Sequence, residues 1–180
     1  MTTIDPAIRD LCVVALAMIF GASGAMKLRD VEMFEAALAN YGLAPRQIEK
    51  PLAYLFPLLE CAASIGLLAT STRAIAASLL LALLVTFTGA VAINLARGRR
   101  NIDCGCFGPA LRQELNGWLL ARNAVVMILA GVIAFPASAR ALEPLDIVTI
   151  VLGAIVTVTL YASANIAIAN APKISALEAM

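Results

Sequence analysis

Five stretches of the chain, residues 8–27, 51–69, 74–96, 117–135 and 147–169, are long, nearly free of charge and joined by short polar connectors. A helix needs about 20 apolar residues to cross the hydrocarbon of a bilayer, and only helices or closed barrels satisfy every backbone N–H and C=O there. Runs of this length leave a bundle of spanning helices. Composition agrees, since 62% of residues are hydrophobic and 14% charged, where soluble domains run nearer ~45–50% and ~25%. A net charge of +1 gives no reason to expect nucleic acid. We therefore expect an all-α membrane protein, a polytopic helical bundle of five spans, or four plus a peripheral one. No internal repeat, linker or low-complexity tract divides it, so residues 1–180 are read as one integral membrane domain.

The first run resembles a cleaved signal peptide in its small residues Gly21 to Ala25, but Asp5 and Asp10 spoil the positive leading region, so a retained span is expected. Ala17, Gly21 and Ala25 recur at the four-residue spacing that lets helices approach closely in lipid. Lys27 is expected to end this helix and snorkel to the interface. From Asp30 to Tyr41, Val31, Phe34, Leu38 and Tyr41 share one helical face, which suggests a short helix on the membrane surface, stopped by Gly42 and Pro45. Pro51 suits the start of the second span, and Pro57 should kink it. Just beyond lies Glu60, a carboxyl deep in a span and therefore a functional candidate. Asn94 closes the third span, and Arg122 and Asn123 interrupt the fourth.

Between the third and fourth spans, the loop 97–116 carries Asn101-Ile102-Asp103-Cys104-Gly105-Cys106-Phe107-Gly108-Pro109. Three readings of the cysteine pair compete. A redox dithiol is one: a bridge across a single residue stores strain and is easily reduced, and Gly105 can take the backbone conformation that such a ring demands. A soft-metal site is another, although two thiolates without histidine fall short of a zinc set. The third is an inert loop. Arg97, Arg99 and Arg100 favour a thiolate at Cys104 or Cys106, while Asp103 opposes it. Gly108 and Pro109 supply turn chemistry. Cys12 and Cys61 sit in apolar runs and read as packing residues.

If the spans alternate in direction, Lys27, Glu60, Asn94, Arg97, Arg122 and the cysteine pair fall in the same half of the bundle. A Glu60–Arg122 contact would relieve the burial of both charges. It reads either as a structural ion pair or as a polar floor that binds a quinone head group, with Arg122 donating to a carbonyl oxygen. No cofactor is fixed by the residues; a quinone is the candidate.

Phe20, Gly24 and Lys27, the run Asn40 to Pro45, Pro57-Leu58-Leu59-Glu60, Asn94 to Arg99, Asp103 to Gly108 and Arg122-Asn123 together resemble the MauE family of methylamine-utilisation membrane proteins, within the DoxX-like group. The resemblance covers residues 11 to about 135 and is most specific in the cysteine loop. It implies a DoxX-like four-helix core plus a fifth C-terminal span. It also implies maturation of the methylamine dehydrogenase small subunit, a disulfide-rich periplasmic protein, alongside a thioredoxin-like partner, with Cys104 and Cys106 exchanging disulfides. Rival readings are a non-catalytic assembly factor or chaperone and a quinone-linked electron-transfer subunit.

The expected location is the inner (cytoplasmic) membrane, multi-pass. Lys27, Arg29, Arg46, Lys50, Arg97, Arg99, Arg100, Arg112 and Lys173 fall on the side of the cysteine loop, against Arg9, Arg73 and Arg140 on the other. That bias favours a cytoplasmic loop. Disulfide chemistry favours the oxidising periplasm, and the periplasmic side is the one expected.

Overall fold

The structure, a computed structural model, describes residues 3–105 and 113–178, with side chains described to residue 170. Cys106, Phe107, Gly108, Pro109 and Arg112 lie outside the described residues. Six helices follow one another: α1 (Pro6–Arg29), α2 (Val31–Tyr41), α3 (Arg46–Leu68), α4 (Arg73–Ala96), α5 (Gly117–Ile133) and α6 (Pro144–Glu178). Among the described residues there is no strand, so the all-α membrane bundle stands. Four helices, α1, α3, α4 and residues 144–170 of α6, are long and apolar enough to cross a membrane, while α5 has 17 residues.

Local chemistry sets the helix ends. Asp5 caps α1 by accepting from the Ala7 N–H at 2.8 Å, and Pro6 opens the first turn with its φ already helical. Asp30 caps α2 by accepting from the Met33 N–H at 3.1 Å, and Gly42 ends it at φ +60°, the left-handed conformation that glycine adopts without Cβ strain. Asn116 caps α5 through the Leu119 N–H at 3.2 Å. Two boundaries depart from expectation. Helix α3 begins at Arg46, not Pro51, because the polar turn before the apolar run is itself helical; Pro51 forfeits one bond to exposed Gln47, a loss that water can make good. Helix α6 starts at Pro144 and is not confined to the apolar run from 147 to 169.

The long helices pack around α1, which touches α2, α3, α5 and α6, while α4 joins α3 to α5. The core between them holds Leu16, Phe20, Leu67, Leu80, Leu84 and Val126. Helices α1 and α3 meet closely at Gly24. A Cβ added there would stand 2.7 Å from the Cys61 sulfur and 2.9 Å from the Pro57 carbonyl oxygen, so only a glycine fits. The expected Ala17-Gly21-Ala25 stripe is thus shifted: Gly21 faces Ser64, but Ala25 is exposed. Charge and apolarity are distributed inside out. Ile65 and Ile75 are more than 70% exposed, while Lys27, Glu60 and Arg122 are buried at 4%, 1% and 8% exposure. Such a surface is satisfied by lipid and not by water.

The chain alternates as expected, with the α1–α2 connection, the start of α3, the cysteine loop and the start of α5 at one end. At the other end the amino terminus is tied to the α5–α6 connector. Ile4 N–H donates to the Pro136 carbonyl at 3.0 Å, and Arg140 reaches Asp5 at 3.0 Å and Asp146 at 2.7 Å. The Arg140 guanidinium holds the Asp5 carboxyl below its usual range. Arg73 and Asp10 pair at 2.8 Å at that same end.

Candidate functional site

Beyond α4 the chain turns at Gly98 and Arg99, whose N–H returns to the Asn94 carbonyl at 3.0 Å. A backbone clasp then holds the base of the cysteine loop. Leu115 N–H lies 3.1 Å from both the Arg100 and Ile102 carbonyls, and Cys104 N–H donates to the Gln113 carbonyl at 2.8 Å. The Asp103 carboxylate sits inside this clasp, accepting from the backbone N–H groups of Gly105 and Gln113 at 3.2 Å each. Its charge is thereby engaged by the backbone. Gly105 has φ +69°, and a Cβ on it would fall 2.8 Å from the Ala37 Cβ, so close packing on α2 and backbone conformation both demand glycine. Tyr41 at the end of α2 donates from its hydroxyl to the Cys104 carbonyl at 3.4 Å.

Cys104 is therefore fixed against α2. Its exposure is 8%. It lines a cavity of about 460 Å³ between α2, α3 and α4, together with Phe34, Tyr41, Phe56 and Phe87. Of the three nearby cations, Arg99 folds back toward the Tyr41 carbonyl and the Asn94 side chain, each at 3.4 Å, while Arg97 and Arg100 are exposed. Asn94 is fully buried beneath them. Among the described residues, no three Cys, Asp or Glu side chains gather in a way that could hold a metal.

Below the loop lies a charged layer. Lys27 donates to Glu60 at 2.6 Å, and Ser23 donates to the second carboxylate oxygen at 3.3 Å. Lys27 does not snorkel. Its ammonium sits 5.1 Å from the Phe34 ring centre and 4.7 Å from that of Phe87, and it borders a small gap with Asp30 and Gly105 directly under the loop. Lys27 is thus a close cation of Glu60; a buried ammonium and carboxylate on facing helices relieve each other's desolvation. Arg122 lines the same small cavity as Glu60, of about 40 Å³. Its guanidinium donates to Asn165 at 2.7 Å and to Asn123 at 3.0 Å, and lies over the Tyr161 ring. Asn123 in turn donates to Thr88 at 2.9 Å, and the Gln113 side chain to the Asn165 carbonyl at 2.7 Å. Loop, α4, α5 and α6 are joined by one polar network.

Lys27, Gln113, Tyr161 and Asn165 complete this site beyond the expected residues. Asn165 carried a legible signal, a polar side chain inside an apolar span.

The sequence matches a known family. The model for methylamine utilisation protein MauE fits residues 5–136, which include α1 to α5, the clasp and both loop cysteines. The chain belongs to the MauE family. Among its MauE relatives, that of Paracoccus denitrificans is 40% identical over 119 residues, 66% of this chain and 64% of the relative, just under two thirds of that protein's length. That of Methylorubrum extorquens is 33% identical over 126 residues, 70% and 68% of the two chains. That of Paracoccus versutus is 36% identical over 151 residues, 83% and 81%. Each of the three is named a methylamine utilization protein. No solved structure matches this MauE family member.

Proposed function

We propose that this chain is a membrane thiol-disulfide redox protein that helps a partner protein mature during methylamine utilisation, Cys104 and Cys106 being the exchanging pair. The observation that carries the reading is the clasp. Several backbone bonds, the Asp103 carboxylate and an obligatory glycine hold Cys104 at the wall of a cavity, one residue from a second cysteine. Such effort at fixing a sulfur suits a reacting group. The family's name supports methylamine utilisation as the setting. A thioredoxin-like protein as redox partner, the methylamine dehydrogenase small subunit as the protein matured, and a periplasmic loop on the inner membrane complete the proposal.

Thiol trapping on non-reducing gels, in membranes before and after dithiothreitol, tests it. The expected result is a reducible Cys104–Cys106 bridge that disappears in Cys104→Ser or Cys106→Ser. If neither variant changes the trapping pattern, the redox reading fails.

The burial of Cys104 also favours a second reading, a non-catalytic assembly factor whose cysteines merely shape the loop. Replacing both cysteines with serine separates the two, since an assembly factor keeps its support of partner maturation and a redox protein loses it.

A further inference from the structure

We propose that the cavity between α2, α3 and α4 binds an acidic phospholipid, one acyl chain filling it while the head-group phosphate rests on Arg97 and Arg99. The proposal stands apart from the redox reading and uses no cysteine chemistry.

The helices leave this space open by their own sequence. Phe34 on α2 and Phe87 on α4 meet edge to face with ring centres 6.4 Å apart, and Phe56 on α3 lies 5.1 Å from Phe87, so three rings close the inner end. Nearer the loop, α4 presents Gly89 and Ala90 where larger side chains would fill the gap, and a Cβ on Gly89 would meet nothing within 4 Å. The cavity measures about 460 Å³. Since ~150 Å³ holds the six carbons of benzene, such a space takes on the order of 18 carbons, the size of an acyl chain. Its lining suits hydrocarbon. Among the described lining residues none is charged, and the hydroxyls of Tyr41 and Thr86 already donate to the Cys104 and Ala82 carbonyls. An occupant therefore gains apolar burial and few hydrogen bonds. Leu43, Val85 and Ile93 on the lining are 42%, 54% and 44% exposed, so the cavity opens outward through apolar side chains. In a membrane an acyl chain enters there without crossing water.

The rim selects an acidic head group. Arg97 follows Ile93 by one helical turn, its N–H donating to the Ile93 carbonyl at 3.0 Å, which sets it directly beyond that wall. An Arg99 guanidinium nitrogen stands 3.2 Å from where a Cβ on Gly42 would lie, next to Leu43. Its bonds to the Tyr41 carbonyl and the Asn94 side chain, 3.4 Å each, are long for N–H donors. A phosphate oxygen makes shorter, charge-assisted bonds with such a group. The two segments bounding this end, residues 39–52 and 90–101, carry Arg46, Lys50, Arg97, Arg99 and Arg100, all exposed, against one acid, the inward-tucked Glu49. The acids of α2, Glu32 and Glu35, belong to its first half, away from Tyr41. Cations gathered beside an apolar cleft between membrane helices are the pattern that binds acidic head groups. The excess of cations on the loop side, which by the positive-inside rule opposes a periplasmic loop, thereby gains a local cause.

The test uses the full chain in phosphatidylcholine nanodiscs doped with phosphatidylglycerol or phosphatidylcholine, each carrying the same photoreactive acyl chain. Adducts are expected on residues 31–44 and 85–93, several-fold more from phosphatidylglycerol. Arg97→Gln should cut phosphatidylglycerol labelling about fivefold, the share of one cation near a membrane surface, and leave phosphatidylcholine labelling unchanged. Arg97 is exposed, so this variant reads binding and not folding. Gly89→Leu should fill the cavity, keep the melting temperature and lose about tenfold or more of the phosphatidylglycerol adduct. Equal labelling by the two probes, or phosphatidylglycerol labelling unchanged in Arg97→Gln, overturns the acidic lipid. Undiminished labelling of a folded Gly89→Leu overturns the cavity as its seat. Displacement of the phosphatidylglycerol label by equimolar decylbenzoquinone, an uncharged ring, overturns the proposal too. So does a cross-link from Gly89→benzoylphenylalanine to a second copy of the chain, which would then cover this face itself.

Discussion

Replacing Glu60 by glutamine removes the charge opposite Lys27 while keeping an acceptor of nearly the same shape. The ammonium and carboxylate are 2.6 Å apart and both are buried. At an effective dielectric of ~20, charges at this distance attract by about 6 kcal/mol, and desolvation of the two ions costs several kcal/mol each, so the intact pair contributes little net. Breaking it is another matter. An uncompensated buried charge costs about 3–5 kcal/mol. Two features soften that figure here. The amide oxygen still accepts from Lys27, and the Phe34 and Phe87 rings still face the ammonium, contacts worth ~0.5–2 kcal/mol each. The lower bound, about 3 kcal/mol, is the expected loss; at ~2–4 °C per kcal/mol it lowers the melting temperature by about 6–12 °C. The assay is thermal melting by far-ultraviolet circular dichroism in mild detergent. A companion variant, Lys27→Met with Glu60→Leu, should recover most of the loss, because an apolar pair leaves no orphaned ion. A Glu60→Gln protein that melts within about 2 °C of the unaltered chain, less than one kcal/mol, would refute the reasoning.

Three further outcomes follow from contacts described above. Gly24→Ala places a Cβ against the Cys61 sulfur and the Pro57 carbonyl and should cost about 1–3 kcal/mol by overpacking, read by the same melting assay; an unchanged melt means α1 and α3 are not in such close contact. Gly105→Ala must adopt φ +69° and meet Ala37, with a backbone cost of roughly 1–2 kcal/mol alone. The loop should lift from α2, speeding alkylation of Cys104, and Ala37→Gly should relieve the contact while leaving the backbone cost. Finally, Asp5 has its carboxyl lowered by Arg140, so its contribution to holding the amino terminus is complete above the ordinary carboxylate value of 3.8 and fades as pH falls through its lower folded value. The protection of the Ile4 and Ser138 amides, which close that junction, measured relative to their intrinsic exchange rates, should fall on acidification in this window and not between neutral pH and about 5.

What the sequence made legible was element type and depth. Apolar runs of spanning length announced the long helices, and the spacing of Phe34 and Tyr41 announced α2, because hydrophobic periodicity is set by where a helix meets its surroundings. Rotation about each helix axis was not legible. Lys27, Arg122 and the loop arginines were all at suitable depth to meet Glu60, and depth alone did not show that the packing of α1 on α3 through Gly24 brings Lys27 within 2.6 Å of it. The same limit hid Asn165 as the acceptor for Arg122, 43 residues away in the chain. Pro51 misled because proline is at home in a first turn, yet a helix whose early turns face water tolerates it further in. At the cysteine loop, glycine's special backbone was foreseeable from its place between two cysteines, whereas the burial of Cys104 depended on the neighbouring helix α2.

The acceptor on α6 bears on how far the working unit extends. The family signature stops at residue 136, before α6 begins. A fragment trimmed to that boundary would retain every signature residue and yet lose Asn165 and Tyr161, stripping the Arg122 guanidinium of its acceptor at 2.7 Å and of the ring it lies over. Engineers shortening this protein should treat the tail helix as part of the minimal unit, because it helps insulate a charge that the recognisable portion carries.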